Sequence, residues 1–247
     1  GLVFWNPWWN DDTSMLEEIK GRQCTEEIQP LFGRKEALAL TGVRRSGKTS
    51  LMYLTVKALL DTNDPKQVMY VNLEDPTFEE ATLQDIYQGY EELMTPDDDQ
   101  FLFLDEVQNK AGWENGVKKM YDSRRKMKIT VTGSNSSLLK SEFARYLSGR
   151  NLTYEVYPLS FPEYLSFNDI SIRSEAQLLK ARSRIIHHLE AYLRFGGYPE
   201  VVLEDNEEMK FRLLKEYFSA ILAWDILTRY DVKERKKLER LAAFLIT

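Results

Sequence analysis

Cysteine is nearly absent: Cys24 is the only one in 247 residues, so no disulfide can form within the chain and a reducing compartment is the natural setting. Long apolar runs are absent too. None approaches the ~20 residues that a membrane span requires, and the apolar start GLVFW lacks the basic flank of a signal peptide, so the expectation is a cytoplasmic protein with no membrane partner. Positive charge is not in excess. A formal net charge of -6 argues against a protein that coats polyanions, although local basic clusters survive on an acidic chain. The two histidines, His187 and His188, are adjacent and point to different sides of their helix, which disfavours a shared metal. There is no internal repeat and no low-complexity segment. The first residue is Gly1 rather than Met, and the final LAAFLIT lies inside an apolar helical pattern without a stop signal, so both ends read as cut.

With 43% hydrophobic and 29% charged residues, the chain can bury one sizeable core and a smaller second one. Short apolar stretches rich in β-formers, at 36–42, 67–74, 101–106, 128–134 and 152–157, alternate with helix-length segments at 47–60, 79–94, 113–126 and 141–147. This alternation predicts an α/β fold with a parallel sheet covered on both faces. Beyond Pro158 the pattern turns helical. One helix opens at the N-cap candidate Ser174 and stops at Gly196, a second spans 207–230, and a third starts at Lys233. The chain therefore divides into an N-terminal arm and helix at 1–34, a core at 35–158, a helical lid at 159–205, and the truncated start of a helical C-terminal region at 206–247.

The segment GVRRSGKTS at 42–50 satisfies the pattern G-x-x-x-x-G-K-[ST] and falls between a predicted strand and a predicted helix. Gly42 and Gly47 let the backbone turn tightly, so that the amides of the loop (Val43, Arg44, Arg45 and Ser46 lie between them) and the positive end of the following helix face phosphates. Lys48 reaches the β- and γ-phosphates, and the Thr49 hydroxyl ligates Mg²⁺, with Ser50 completing the nucleotide-binding loop. In FLFLDEVQN, four apolar residues drive a buried strand whose end delivers Asp105 beside this loop, where it holds the metal through its water shell. Glu106 orients and polarises an attacking water, which points to hydrolysis rather than to transfer onto a small molecule. A guanine reader of the form Asn-Lys-x-Asp is missing, since NKAG at 109–112 lacks the aspartate, and ATP is the favoured nucleotide. The run ITVTGSNSSLL resembles the strand that, in ATPases with an Asp-Glu pair, carries polar side chains toward the γ-phosphate, which implies Ser134 or Asn135 as the sensor; the same run is also a common turn composition.

The segments GVRRSGKTS, LDEVQN…GWE, VTGSNSSLL, YLSGR…YEVYPLSFPEYL and GGYPEVV, in this order, resemble archaeal-type AAA-like P-loop ATPases that carry a C-terminal domain of unknown function. These motifs cover residues 42–202, and YFSAILAWDILTRY resembles the start of the C-terminal part. The resemblance implies a P-loop NTPase core of the AAA+/STAND kind, a five-stranded parallel sheet in the order 5-1-4-3-2, and an all-α lid. It also implies two assignments by position. Arg150, ending YLSGR, stands where AAA+ ATPases often place an arginine finger, acting in its own or a neighbouring subunit to neutralise transition-state charge. Pairing with a surface acid is the alternative. GGYP at 196–199 resembles the Gly-x-Pro turn by which the lid of related signal-transduction ATPases touches the nucleotide, here through Gly197 and Pro199, while Gly196 also suits a helix C-cap.

Arg44 and Arg45 are expected to point away from the phosphates, one of them pairing with a strand-end carboxylate such as Glu74, Asp75 or Glu106. Six cationic residues at 117–128 and five at 233–240 could neutralise DNA phosphates, but interspersed acids and helical spacing favour solvated faces. Trp5, Trp8 and Trp9 read as anchors of the N-terminal arm in an apolar groove, with stacking on adenine as the alternative. Asp225 and Arg229, four apart on a helix, read as a pair. The resulting expectation is a Mg²⁺-dependent ATPase that binds ATP, releases ADP and moves its lid on an unidentified protein client, with DNA and further copies of the chain as candidate partners. The alternative is a nucleotide-gated binding or scaffold module, DNA-associated, with negligible turnover.

Overall fold

The computed structural model describes residues 1–96, 99–123, 126–133, 143, 145–172, 174–227 and 234–246. Two compact units divide the chain: Gly1–Val43 with Gly47–Tyr157, and Pro158–Thr247 with Arg44–Ser46.

The first unit opens with the short helices α1 (Leu2–Trp5), α2 (Ser14–Glu17) and α3 (Cys24–Ile28). Strand and helix then alternate: β1 (Ala37–Thr41), α4 (Lys48–Leu60), β2 (Val68–Asn72), α5 (Leu83–Met94), β3 (Asp99–Asp105), α6 (Trp113–Tyr121), β4 (Lys126–Thr132) and β5 (Asn151–Glu155). All pairings are parallel, in the order β2-β3-β4-β1-β5, which read from the other edge is the 5-1-4-3-2 order implied by the resemblance. The strands are near-continuous apolar runs because helices cover both faces, and successive residues feed opposite cores. Leu38, Leu40, Tyr70 and Phe103 pack with Leu51, Met52 and Val56 of α4. Ala39, Met69, Val71, Leu104 and Val131 pack on the other side with Ile86, Tyr90, Val117 and Met120 of α5 and α6.

The tryptophans anchor the N-terminal arm along the edge strand β2. Trp8 donates its indole N–H to the Val68 carbonyl at 3.0 Å, Trp9 donates to the Pro65 and Val68 carbonyls at 3.1 and 3.0 Å, and the Trp9 ring stacks on Tyr90. Asn6, two residues before Trp8 and fully buried, mimics a neighbouring strand: its amide donates to the Tyr70 carbonyl at 2.7 Å and its oxygen accepts the Tyr70 N–H at 2.6 Å.

Within the basic cluster at 117–128, Lys118, Lys119 and Lys126 are exposed, and Lys128 is buried. Helix α6 ends at Tyr121, and Lys126 and Lys128 belong to β4, on one face of the strand, with Lys126 at its exposed start and Lys128 buried two residues further in. Its ammonium donates to the carbonyls of Leu31 (2.6 Å), Arg34 (3.3 Å) and Glu36 (2.6 Å), and burial pulls its pKa down to about 8. Arg124 and Arg125 lie outside the described residues.

The second unit is helical: α7 (Phe161–Phe167), α8 (Glu175–Phe195), α9 (Pro199–Leu203), α10 (Glu207–Ala220), a π-helical stretch (Ile221–Leu227) and α11 (Arg235–Ile246). Ser174 caps α8 by accepting the Gln177 N–H at 3.3 Å, and Gly196 ends it at φ 75°. Ser160 and Glu163 form a reciprocal capping box at the start of α7. The predicted helix at 207–230 is continuous only to Ala220 before its hydrogen bonding widens to the π form, and the Asp225–Arg229 pairing falls outside what is described. Leu159, Tyr164, Leu165, Phe167, Ile170 and Val202 form one small core, and Phe195, Val201 and Tyr217 another. Among the described residues no helix is long and apolar enough to cross a membrane.

Candidate active site

The chain leaves β1 through a loop with three left-handed residues, Gly42 (φ 140°), Arg45 (φ 61°) and Gly47 (φ 95°), and enters α4 at Lys48. Glycine takes these values at little cost, whereas at Arg45 the left-handed form costs about 1–2 kcal/mol. Gly47 is the N-cap of α4 and brings no capping side chain, so the positive end of the helix is directed at the loop. The buried Lys48 ammonium folds over the same loop, donating to the carbonyls of Gly42 at 3.2 Å and Val43 at 3.0 Å.

At the end of β3 the Asp105 carboxylate is almost fully buried and receives three hydroxyls. Its Oδ2 accepts from Thr49 at 2.7 Å and from Tyr70 at 2.7 Å, and its Oδ1 accepts from Thr132. Thr132 in turn accepts the Glu106 N–H at 3.0 Å. Glu106 is left-handed (φ 55°, ψ 49°), which breaks the strand at that point; its Oε2 accepts from Gln108 Nε2 at 2.5 Å. A threonine hydroxyl whose proton is given to a carboxylate keeps its lone pairs for a cation. Thr49 and Asp105 together are thus a hard oxygen donor set of the kind Mg²⁺ takes.

The aromatic neighbours are locked in the protonated form. Burial, reinforced by the charge of Asp105, pushes the Tyr70 phenol far above its ordinary range, and burial raises Tyr53, 4.5 Å away between ring centroids, to about 12.

A family model for the AAA domain matches residues 34–165, more than half of the chain, and a model for a domain of unknown function matches residues 186–247. The chain belongs to the AAA domain family. An uncharacterized protein of Methanocaldococcus jannaschii is 31% identical to this AAA protein over 227 residues, covering 92% of this chain and 50% of that one. An uncharacterized protein of Haemophilus influenzae is 34% identical over 214 residues, covering 83% and 50%. The chain thus spans 50% of the length of either curated relative. The Walker-type ATPase paby2304 of Pyrococcus abyssi is similar in fold, with a TM-score of 0.50 at 15% identity over 92% of this chain and 77% of that chain.

Of the residues expected to act together, the AAA core brings Lys48 onto its own loop and joins Thr49 to Asp105, with Glu106 linked to Asp105 through Thr132. Ser134 and Asn135 lie outside the described residues. Arg150 donates to Asp122 at 2.6 Å and lies over the Tyr121 ring, in the manner of a surface ion pair. For Arg45 the partner is not one of the strand-end carboxylates. Arg45 pairs with Glu200 at 2.9 Å, inside the second unit, and its guanidinium lies 4.4 Å from the centroid of the Tyr217 ring. Asp75 caps the turn at Thr77 and accepts the Trp5 indole at 2.7 Å, while Glu106 accepts from Gln108. Tyr217 also donates to Glu200, and burial with that carboxylate raises its phenol to about 12. Gly197 meets the main chain of Leu159, and Pro199 opens α9.

Sequence reasoning missed Tyr70 and Thr132. Both stand near the carboxyl ends of strands flanking β3, the end of a parallel sheet where ligands gather, and the parallel register with Asn72 opposite Asp105 is what reveals them.

Proposed function

We propose that this chain binds ATP with a divalent cation and hydrolyses it to ADP and phosphate, coupling turnover to movement of its helical second unit. The observation that supports this reading is the 2.7 Å hydrogen bond from Thr49 to Asp105, which unites a phosphate-loop hydroxyl and a buried strand-end carboxylate from 56 positions apart. The triphosphate lies along residues 42–50, against the loop amides and the N-terminus of α4. Lys48 exchanges two neutral carbonyl acceptors for charged phosphate oxygens, which are the stronger partners. Thr49 and Asp105 would hold Mg²⁺, which would supply positive charge to offset that of the triphosphate. Glu106 orients a water and takes its proton as the water oxygen bonds to the γ-phosphorus; the bond to the β,γ-bridging oxygen breaks and ADP leaves with that electron pair. Thr132 holds Glu106 by its N–H. Ser134 or Asn135 as sensor, Arg150 as the arginine finger, and Gly197 with Pro199 as further nucleotide contacts complete the site by their motif positions.

Single-turnover hydrolysis tests the reaction. Glu106→Gln is expected to retain ATP binding and to slow cleavage by about 100-fold or more. Equal, negligible hydrolysis by wild type and variant, with both binding ATP, would leave the nucleotide-gated binding module in its place.

A further inference from the structure

Tyr70 is held at every level. Its main chain exchanges both hydrogen bonds with Asn6, its ring stands 4.5 Å from Tyr53 and 5.9 Å from Trp5 between centroids, and its side chain is fully buried. A phenol this deep requires an acceptor, and Asp105 Oδ2 is that acceptor at 2.7 Å. The same oxygen also takes the proton of Thr49 at 2.7 Å. Asp105 closes a strand, and without a fixed donor its carboxylate would be able to turn about its side-chain bonds and release the threonine proton to another acceptor. Thr132 holds the opposite oxygen, and Tyr70 secures the oxygen that Thr49 shares.

We propose that Tyr70 is a positioning residue for the divalent cation: by holding Asp105 Oδ2, it keeps the Thr49 proton directed at the carboxylate and the Thr49 lone pairs directed at the cation. This rests on the reading of residues 42–50 and Asp105 as a nucleotide and metal site. The donor acts through Asp105 and touches neither cation nor nucleotide. Its burial keeps it protonated across the physiological range, so the hold is permanent rather than switched.

The test is Tyr70→Phe in the full chain, which deletes one hydroxyl and keeps the ring. Binding of a fluorescent ATP analogue is titrated in EDTA and against Mg²⁺, with melting temperature recorded alongside and Tyr90→Phe, which removes a buried phenol hydroxyl that donates to the Lys66 carbonyl, as the control. The expected result is unchanged affinity in EDTA, a rise of about 10-fold in the Mg²⁺ concentration that gives half of the metal-dependent gain, and an unshifted Mg²⁺ profile for the control. An unshifted profile for Tyr70→Phe overturns the assignment, as does an equal loss of affinity with and without Mg²⁺, which marks a structural role alone. Should the variant not fold, 3,5-difluorotyrosine at position 70 keeps the shape and strengthens the donor; a Mg²⁺ profile that does not respond to that change is equally fatal. Wild type that binds no nucleotide under either condition brings down the underlying site as well, whereas Mg²⁺-dependent binding with no difference at position 70 brings down only the role of Tyr70.

Discussion

Gly197→Ala is expected to be among the most damaging single-methyl additions in the second unit. A Cβ at 197 would stand 2.2 Å from the Leu159 carbonyl oxygen and 3.1 Å from both its carbonyl carbon and its nitrogen. These are main-chain atoms, so no rotamer change relieves the contact, and the two segments must separate by about 1 Å to restore ordinary carbon–oxygen spacing. Separation breaks the Leu159 N–H bond to the Gly197 carbonyl at 2.7 Å and disturbs the Tyr192 hydroxyl bond to the Leu159 carbonyl at 2.8 Å. Each is worth about 1 kcal/mol. Leu159 also drags its buried side chain within the cluster of Tyr164, Leu165 and Phe167, a repacking of about 1–3 kcal/mol. The total is about 3–5 kcal/mol. Gly196→Ala is the internal comparison. There a Cβ meets nothing within 4 Å, and the loss is the strain of φ 75°, ψ −164° alone, about 1–3 kcal/mol. Urea unfolding followed by far-UV circular dichroism reads the helices, while fluorescence in a Trp224→Phe background, which leaves Trp5, Trp8, Trp9 and Trp113, reads the first unit. The dichroism transition is expected to move to lower urea, and more for Gly197→Ala than for Gly196→Ala. A Gly197→Ala chain within about 0.5 kcal/mol of wild type would refute the close-approach argument, and the glycine would then answer to a ligand instead.

Arg45→Ala loses the ion pair with Glu200, whose partners are 52% and 56% exposed, together with the Tyr217 ring contact, and keeps the left-handed turn; a loss of about 0.5–1.5 kcal/mol follows. Arg45→Gly loses the same contacts but relieves the turn, so it is expected to exceed the alanine variant by about 1 kcal/mol in denaturant melts, and equal stabilities would show that no strain is stored there. At alkaline pH the buried phenols decide the sign. Tyr53 keeps its proton to about pH 12 when folded and releases it near 10 when unfolded, and Tyr70 is raised as well, so their contribution is whole below pH 10 and is lost as the pH climbs through the folded values. Lys128, drawn from 10.5 to about 8, works the other way, adding stability between those values. Denaturation midpoints should therefore fall above pH 10, with Tyr53→Phe shallowing the fall; midpoints flat from 10 to 12 would contradict the assignment.

The strands were legible because a parallel sheet covered on both faces has no polar side, so ALAL, VMYV, FLFL and ITVT stand out as runs. Their order was not legible from periodicity and came only with the family resemblance. Thr49 and Asp105 were legible because each sits in a motif whose spacing the chemistry dictates. Tyr70 was not, since a tyrosine inside an apolar strand reads as core until the register shows what its hydroxyl reaches. Glu200, 155 positions from Arg45, had no local signal at all. Lys128 misled in the opposite sense: a lysine among basic neighbours reads as surface, whereas in the fold its ammonium reaches three carbonyls. The break from α-helix at Ala220 escaped because spacing of 3.6 residues cannot distinguish one helical hydrogen-bonding pattern from the next.

Asn6 carries a consequence for assembly. An outermost strand of a sheet ordinarily offers its free main-chain groups to any extended chain that drifts alongside, which is how sheets are extended between molecules. At Tyr70 both groups are already taken by one side chain of the same molecule, so an incoming strand cannot run through that point in any register without first evicting Asn6. A substitution there would therefore be felt in shelf life at high concentration before it was felt in melting temperature, as fibrils or soluble multimers seeded along β2.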